Sequence, residues 1–223
     1  MQAAGSEATG VPPFFVGAYP AAMAQLLLTG FGPFLKVTDN PSGALARRFD
    51  GREAGDLTVR GCELPVVFDE VEGALDAALS GMDGTPVGLL GLGVHRGSQW
   101  RVERHARRPL TATKPDVSGR VAAQARFAPG AAPLISTPFE VIDLAGALRA
   151  AGFPAHASGH AGGYVCDRTY HALLSRARAL DVPALFVHIP PYDDVDLERH
   201  AAALEVVLEW LAPRWARVGA PRV

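Results

Sequence analysis

The chain has 223 residues, enough for one domain with a sizeable core. Its 21 basic and 23 acidic side chains nearly balance, and a net charge of −2 argues against nucleic acid or an anionic membrane as partner. Two cysteines are too few for a disulfide scaffold and fit a reducing, cytoplasmic setting, and no apolar run reaches the roughly 20 residues that span a bilayer.

Residues Met1 to Gln25 are rich in Ala, Gly and Pro and carry one formal charge, at Glu7. They lack a basic n-region, which argues against a secretory signal despite the apolar Phe14, Phe15 and Val16. They read as a flexible leader outside the domain, or else as a small arm that packs on a neighbouring subunit, so the domain proper is expected over 26–223. Leu26 to Thr29 is short, apolar and stopped by Gly30, as a central parallel strand should be. The loop from Gly30 to Asn40 then lies at that strand's carboxyl end, where open α/β sheets bind ligands.

Asn40-Pro41-Ser42 opens a helix through Ala44, Leu45 and Phe49. Leu57 to Val67 supplies strand residues with a break expected near Cys62. A helix carries Val71, Leu75, Ala78 and Leu79 and closes at Gly81. Val87 to Gly93 is a glycine-bearing apolar strand, and Gln99 to Arg104 alternates like a strand and carries Glu103. Pro109 to Pro133 shows no sustained period and contains several prolines and glycines, so it reads as a long excursion, a flap or an interface. An amphipathic helix follows from Phe139 to Arg149, capped at Gly152.

Ala184 to Pro191 reads as a buried strand that ends in His188 and is stopped by two prolines. Asp193, Asp194 and Asp196 suit the start of a last helix, in which Leu204, Val207, Leu208 and Leu211 share a face. Strands alternating with helices predict an α/β fold, a three-layer sandwich on a mixed, largely parallel twisted sheet.

The stretch from Ala155 to Leu174 carries the chemistry. Paired glycines, Gly162 and Gly163, lead to Cys166, after which Tyr170, Leu173, Leu174 and Ala177 recur at helical spacing. Cys166 is thereby placed near a helix start, where the dipole favours a thiolate and free N–H groups can hold an oxyanion. The residues alone leave open a small buried cysteine in a packing turn. His188 at a strand end suits a general base, and Glu103 suits the acid that orients it.

His156 and His160 are four apart, but the small residues and glycines around them argue against a helix and so against a metal site. His95, His105 and His200 lie in polar stretches and read as solvated. Gly30-Phe-Gly-Pro-Phe34 lacks the third glycine of a dinucleotide fingerprint, and Pro33 removes an N–H. Ser158 lacks a nucleophile elbow.

Four blocks together resemble pyroglutamyl peptidase type I, a family of cysteine peptidases. They are Leu26 to Phe34 with Asn40-Pro-Ser42, Glu63 to Phe68, Ser158 to Asp167, and Phe186 to Pro190, in the family's order. The resemblance implies Cys166 as nucleophile, His188 as base and Glu103 as orienting acid. It also implies a pocket for the lactam ring from Phe31, Phe34, Asn40, Tyr164 and Val165. The substrates implied are peptides with N-terminal pyroglutamate, with no cofactor or metal, and the assembly implied is a homodimer or homotetramer. The chain departs from the family pattern at Leu35, Lys36, Arg107, Arg108, Thr113 and His160, around the site. These departures keep an amidase for another small acyl group as the alternative, with a non-catalytic binding module as the rival from another class.

Overall fold

A computed structural model describes residues 24–34, 37–54 and 57–218, with side chains as far as Trp215. The leader up to Met23, including Phe14 to Val16, and the departures Leu35 and Lys36 lie outside the described residues.

Eight strands form one sheet. They are β1 (Ala24–Phe31), β2 (Glu53–Ala54), β3 (Leu57–Leu64), β4 (Gly88–Val94), β5 (Trp100–Arg107), β6 (Leu134–Ser136), β7 (Ala155–His160) and β8 (Ala184–Ile189). The path runs β2-β3-β1-β4-β8-β5-β6, with β7 also on β5. Pairs β1–β3, β1–β4, β4–β8 and β5–β7 are parallel, whereas β2–β3, β5–β8 and β5–β6 are antiparallel. β7 pairs with the same β5 residues that face β8 and β6, so it must occupy β5's other side and form the sheet edge.

Helices cover both faces, and strand alternation divides the core between them. Leu26, Leu28, Leu90, Leu92, Leu185 and Val187 pack on one face against α1 (Pro41–Phe49), α3 (Val141–Ala150) and α5 (Leu197–Val218). Leu27, Leu89, Ala184 and Phe186 pack on the other against α2 (Val71–Ser80) and α4 (Val165–Leu180). The expected mixed, largely parallel three-layer sandwich is therefore present. His188 shares the parity of Ala184 and Phe186, which turns it toward the α4 layer.

Three details differ from the sequence reading. β1 begins at Ala24, two residues inside the expected leader, because Ala24 and Gln25 pair with Leu57 and Thr58. β3 runs unbroken through Cys62, because its whole length is registered on β1. β7 was hidden by its composition: Ala-His-Ala-Ser-Gly-His is half exposed and has neither β-branched nor aromatic residues to signal a strand. The excursion from Pro109 to Pro133 has only a 3₁₀ turn, at Ala122–Gln124.

Candidate active site

The approach to Cys166 is built from backbone constraints. Gly162 and Gly163 both have positive φ, +88° and +74°, which L side chains rarely adopt. At Gly163 a Cβ would also collide with Thr111, whose N–H donates to the Gly163 carbonyl at 3.0 Å, as does that of Ala112. The fully buried Asp167 locks the turn, accepting from Gly163 N–H at 2.9 Å and from Arg107 N–H at 3.0 Å. Burial pushes the Asp167 carboxyl up, against those two bonds and the Arg107 guanidinium. His160, a departure from the family pattern, reinforces the turn: its Nδ1 accepts from Gly162 N–H at 3.0 Å.

Tyr164 is then the extended cap residue of α4, and Cys166 stands in the helix's first turn. Its Sγ lies over β4, where Gly93 leaves the space: a Cβ there would sit 3.1 Å from Sγ and 2.9 Å from the Phe186 ring.

His188 projects from β8 on the same side and is only 4% exposed. Its Nδ1 is 2.8 Å from Oε1 of the fully buried Glu103 on β5. With Nδ1 donating there, Nε2 is the free nitrogen. The ring is flanked by Phe186 and His95, with centroids at 5.0 and 5.8 Å. Burial opposes a charged imidazole, but the neighbouring Cys166 and the hydrogen-bonded Glu103 outweigh it, and His188 is pushed up to about 9. The three residues expected from the sequence to act together are thus brought together from α4, β8 and β5.

All five residues expected to bind substrate line one cleft with Cys166; Val66, Val94 and Lys114 complete its walls. Phe31 is buried at the end of β1, while Phe34 is held by a reciprocal backbone pair with Val37, at 2.9 and 2.8 Å. Tyr164 meets Phe68 edge-on at 5.4 Å and lies 6.5 Å from Phe34. Asn40 is committed to the protein itself. It donates to the Gly32 carbonyl at 2.9 Å and accepts from Ser42 N–H at 3.1 Å and Ser42 Oγ at 2.8 Å. Asn40 therefore sets the loop bearing the phenylalanines.

Lys114 is the lining residue whose place the sequence did not reveal. Its ammonium lies over the Tyr164 ring at 4.0 Å and the Phe34 ring at 5.3 Å. Desolvation holds it below the usual lysine range, with Arg96 adding to the effect and Cys166 opposing it. It belongs to the excursion, which packs against the site: Tyr164 Oη donates to Pro115 O at 2.9 Å, and Asp116 accepts from Phe68 N–H at 2.9 Å. Of the other departures, Arg108 donates to Ala132 O at 3.3 Å, and Thr113 is exposed.

The remaining histidines correct the sequence reading. His95 is half-buried over His188, with ring nitrogens bonded to the Arg96 and Gln99 carbonyls, and His105 is half-buried and bonded to Ser136. His200 is fully buried, because it shares α5's apolar stripe with Leu204, Val207 and Leu211. Among the described residues no group of three or more His, Cys, Asp or Glu is arranged to hold a metal, and no helix is long and apolar enough to cross a membrane.

Residues 24–209 match the family model of pyroglutamyl peptidase. The chain is 32% identical over 179 residues to a pyrrolidone-carboxylate peptidase of Halalkalibacterium halodurans, covering 79% of this chain and 88% of that one. A pyrrolidone-carboxylate peptidase of Gloeobacter violaceus is 35% identical over 167 residues, covering 74% and 81%. The crystal structure of pyrrolidone carboxyl peptidase from Pyrococcus furiosus superposes with a TM-score of 0.78 at 25% identity, over 86% of this chain and 99% of that one. With its whole sheet and the cleft at Cys166 inside the matched span, the chain belongs to the pyroglutamyl peptidase family and is a hydrolase of the pyroglutamyl-peptidase I kind.

Proposed function

We propose that this enzyme hydrolyses the amide bond that follows an N-terminal L-pyroglutamyl residue, with Cys166 as nucleophile, His188 as base and Glu103 as the acid that orients it. The observation that carries this reading is the 2.8 Å contact of His188 Nδ1 with buried Glu103, beside a thiol that opens on a small aromatic cleft. Cys166 gives its proton to His188, whose imidazole, pushed up to about 9, can hold it at neutral pH. Sγ attacks the pyroglutamyl carbonyl carbon, and the negative oxygen that forms is held by N–H groups of the first turn of α4. The C–N bond then breaks as His188 delivers its proton to the departing amine. Water, deprotonated by His188, attacks the thioester and releases pyroglutamate, and the proton returns to the thiol–imidazole pair.

Phe31, Phe34, Tyr164 and Val165 enclose the lactam ring, whose flat apolar faces suit such walls. The test is release of a fluorogenic amine from its pyroglutamyl derivative, run beside the prolyl analogue. A site that bonds the lactam carbonyl rejects proline by orders of magnitude. Equal turnover of the two would sink the substrate assignment, and turnover of neither would sink the peptidase reading. Self-association to a dimer or tetramer in the cytoplasm is part of the same proposal, supported by exposed Val117, Leu134 and Ile142. Light scattering that returns the monomer mass would remove that part.

A further inference from the structure

Glu103 is fully buried, yet its polar atoms are incompletely used. Oε1 accepts from His188 Nδ1, while Oε2 has no hydrogen-bond partner among the described residues. A carboxylate removed from water with one of its oxygens unbonded is a costly arrangement. Besides His188, the cation within ion-pair distance among the described residues is Arg101, two residues back on β5 and hence on the same face. Its Nε lies 3.4 Å from Glu103 Oε1, and that Nε likewise has no hydrogen-bond partner among the described residues. The guanidinium is held from the edge strand, where its terminal Nη2 donates to Ser158 Oγ at 2.9 Å. Register places Ser158 beside Glu103, and His188 directly across from Arg101. An unpartnered buried donor thus lies 3.4 Å from a carboxylate whose other oxygen is unpartnered as well.

We propose that Arg101 is a positioning residue for the reaction: it is the counter-charge that holds the Glu103 carboxylate in place, so that Glu103 can support the imidazolium of His188. The inference rests on the triad reading above. Ser158 on β7 sets the guanidinium, Arg101 offsets the charge of Glu103, and Glu103 supports the protonated ring of His188. The other titratable groups around this carboxylate are few. Tyr170 of α4 donates its hydroxyl to the Glu103 backbone carbonyl at 3.0 Å, Cys166 and His95 flank His188, and His105 lies two residues on along β5, bonded to Ser136. None of them is a standing cation, so removing Arg101 leaves Glu103 with the His188 imidazolium alone.

The test is the pH dependence of Cys166 alkylation by iodoacetamide, followed by mass spectrometry in the wild type and in Arg101→Met, Arg101→Lys and Ser158→Ala. This readout needs no peptide substrate, so it stands or falls separately from the pyroglutamyl assignment. Without the counter-charge, the buried Glu103 supports the imidazolium less well and the thiolate forms at higher pH. The alkylation midpoint of Arg101→Met is expected to rise by about one pH unit, equivalent to tenfold slower labelling on the acid side. Arg101→Lys restores most of the shift, and Ser158→Ala shows a smaller rise. The acid limb of the kcat profile moves with the midpoint while KM stays near the wild-type value. A midpoint that is unchanged, or lowered, in a folded Arg101→Met protein overturns the proposal. The first makes Arg101 a packing residue, and the second makes it a charge that repels the imidazolium. If Arg101→Met does not fold, the Arg101→Lys and Ser158→Ala midpoints decide it: wild-type values in both overturn it.

Discussion

His188 and His200 are the same residue type, almost equally withdrawn from water at 4% and 0% exposure, and their chemistry is opposite. His188 is pushed up to about 9 because, against its burial, it gains support from the neighbouring Cys166 and from the hydrogen bond and charge of Glu103. His200 is held down to about 4 because burial outweighs what Asp196 and the Pro190 backbone offer against it. Neither ring nitrogen of His200 has a hydrogen-bond partner among the described residues, and its neighbours are the rings of Trp100 and Tyr192, at 5.7 and 6.2 Å. Burial alone makes a histidine an inert aromatic, and partners make it a base.

The largest break in that comparison is at the partners themselves. Cys166→Ser and His188→Ala are each expected to lower kcat for a pyroglutamyl substrate by about a thousandfold or more, because each removes half of the proton-transfer unit. Glu103→Gln should cost one to two orders of magnitude less than either, roughly as for the acid of other triads. It keeps the shape but gives up the charge that supports the imidazolium. A fully active Glu103→Gln would show that its contact with His188 has no part in turnover.

Cys166→Ser sharpens the comparison in a second way, readable without substrate. The thiol is the first of the favourable influences on His188, so its loss should bring the imidazole down from about 9 toward its ordinary value of 6.5. Ring proton NMR of the folded variant checks this, and an unmoved titration would assign the whole effect to Glu103.

The contrast between the two histidines was only half legible in the sequence. His188 stood at the end of Ala184-Leu-Phe-Val-His, a run that is all buried, and the prolines after it marked the strand's end. His200 stood among Glu198, Arg199 and two alanines, and its charged neighbours suggested solvent. Its spacing to Leu204, Val207 and Leu211 carried the contrary signal, and helical periodicity outweighs the polarity of adjacent residues. The catalytic end of the fold was legible for a related reason: buried strands and glycine turns leave strong local patterns. The short edge strands β6 and β7 and the reach of Lys114 into the cleft depend on contacts between distant segments, which no local pattern encodes. Asp167 falls in the same class, since its role is written in the backbone N–H groups of Arg107 and Gly163.

His200 makes a prediction on stability. Its folded value lies below the ordinary 6.5, so the native state favours the neutral ring. The associated stability is present above pH 6.5 and is lost as the pH falls toward about 4, amounting to about 3 kcal/mol over that window. His200→Phe keeps an aromatic ring between Trp100 and Tyr192 but has nothing to protonate. Urea midpoints at pH 7 and pH 4.5 should therefore lie closer together in the variant than in the wild type. Equal gaps would mean that His200 takes up its proton in the folded state without penalty.

The smallest effect is expected at Asn40, where the question is whether a residue lining the cleft touches the substrate or only shapes the wall. Both ends of its amide are already engaged: Oδ1 by Ser42, and Nδ2 by the Gly32 carbonyl between Phe31 and Phe34. Ser42 in turn accepts from the Phe31 N–H at 3.0 Å, so the chain of bonds runs from the cap of α1 to the loop. Asn40→Asp keeps the helix cap, and even favours it through the dipole, but it replaces the donor to Gly32 with a second acceptor. The loss of one buried bond, about 1 kcal/mol, would loosen the phenylalanine loop and leave the thiol and imidazole alone. The expected result is a KM about fivefold higher for the pyroglutamyl substrate, with kcat and the melting temperature nearly unchanged. A kcat that falls with KM unmoved would instead tie Asn40 to the reacting bond, and a melting temperature that drops by several degrees would make the bond to Gly32 a structural one first.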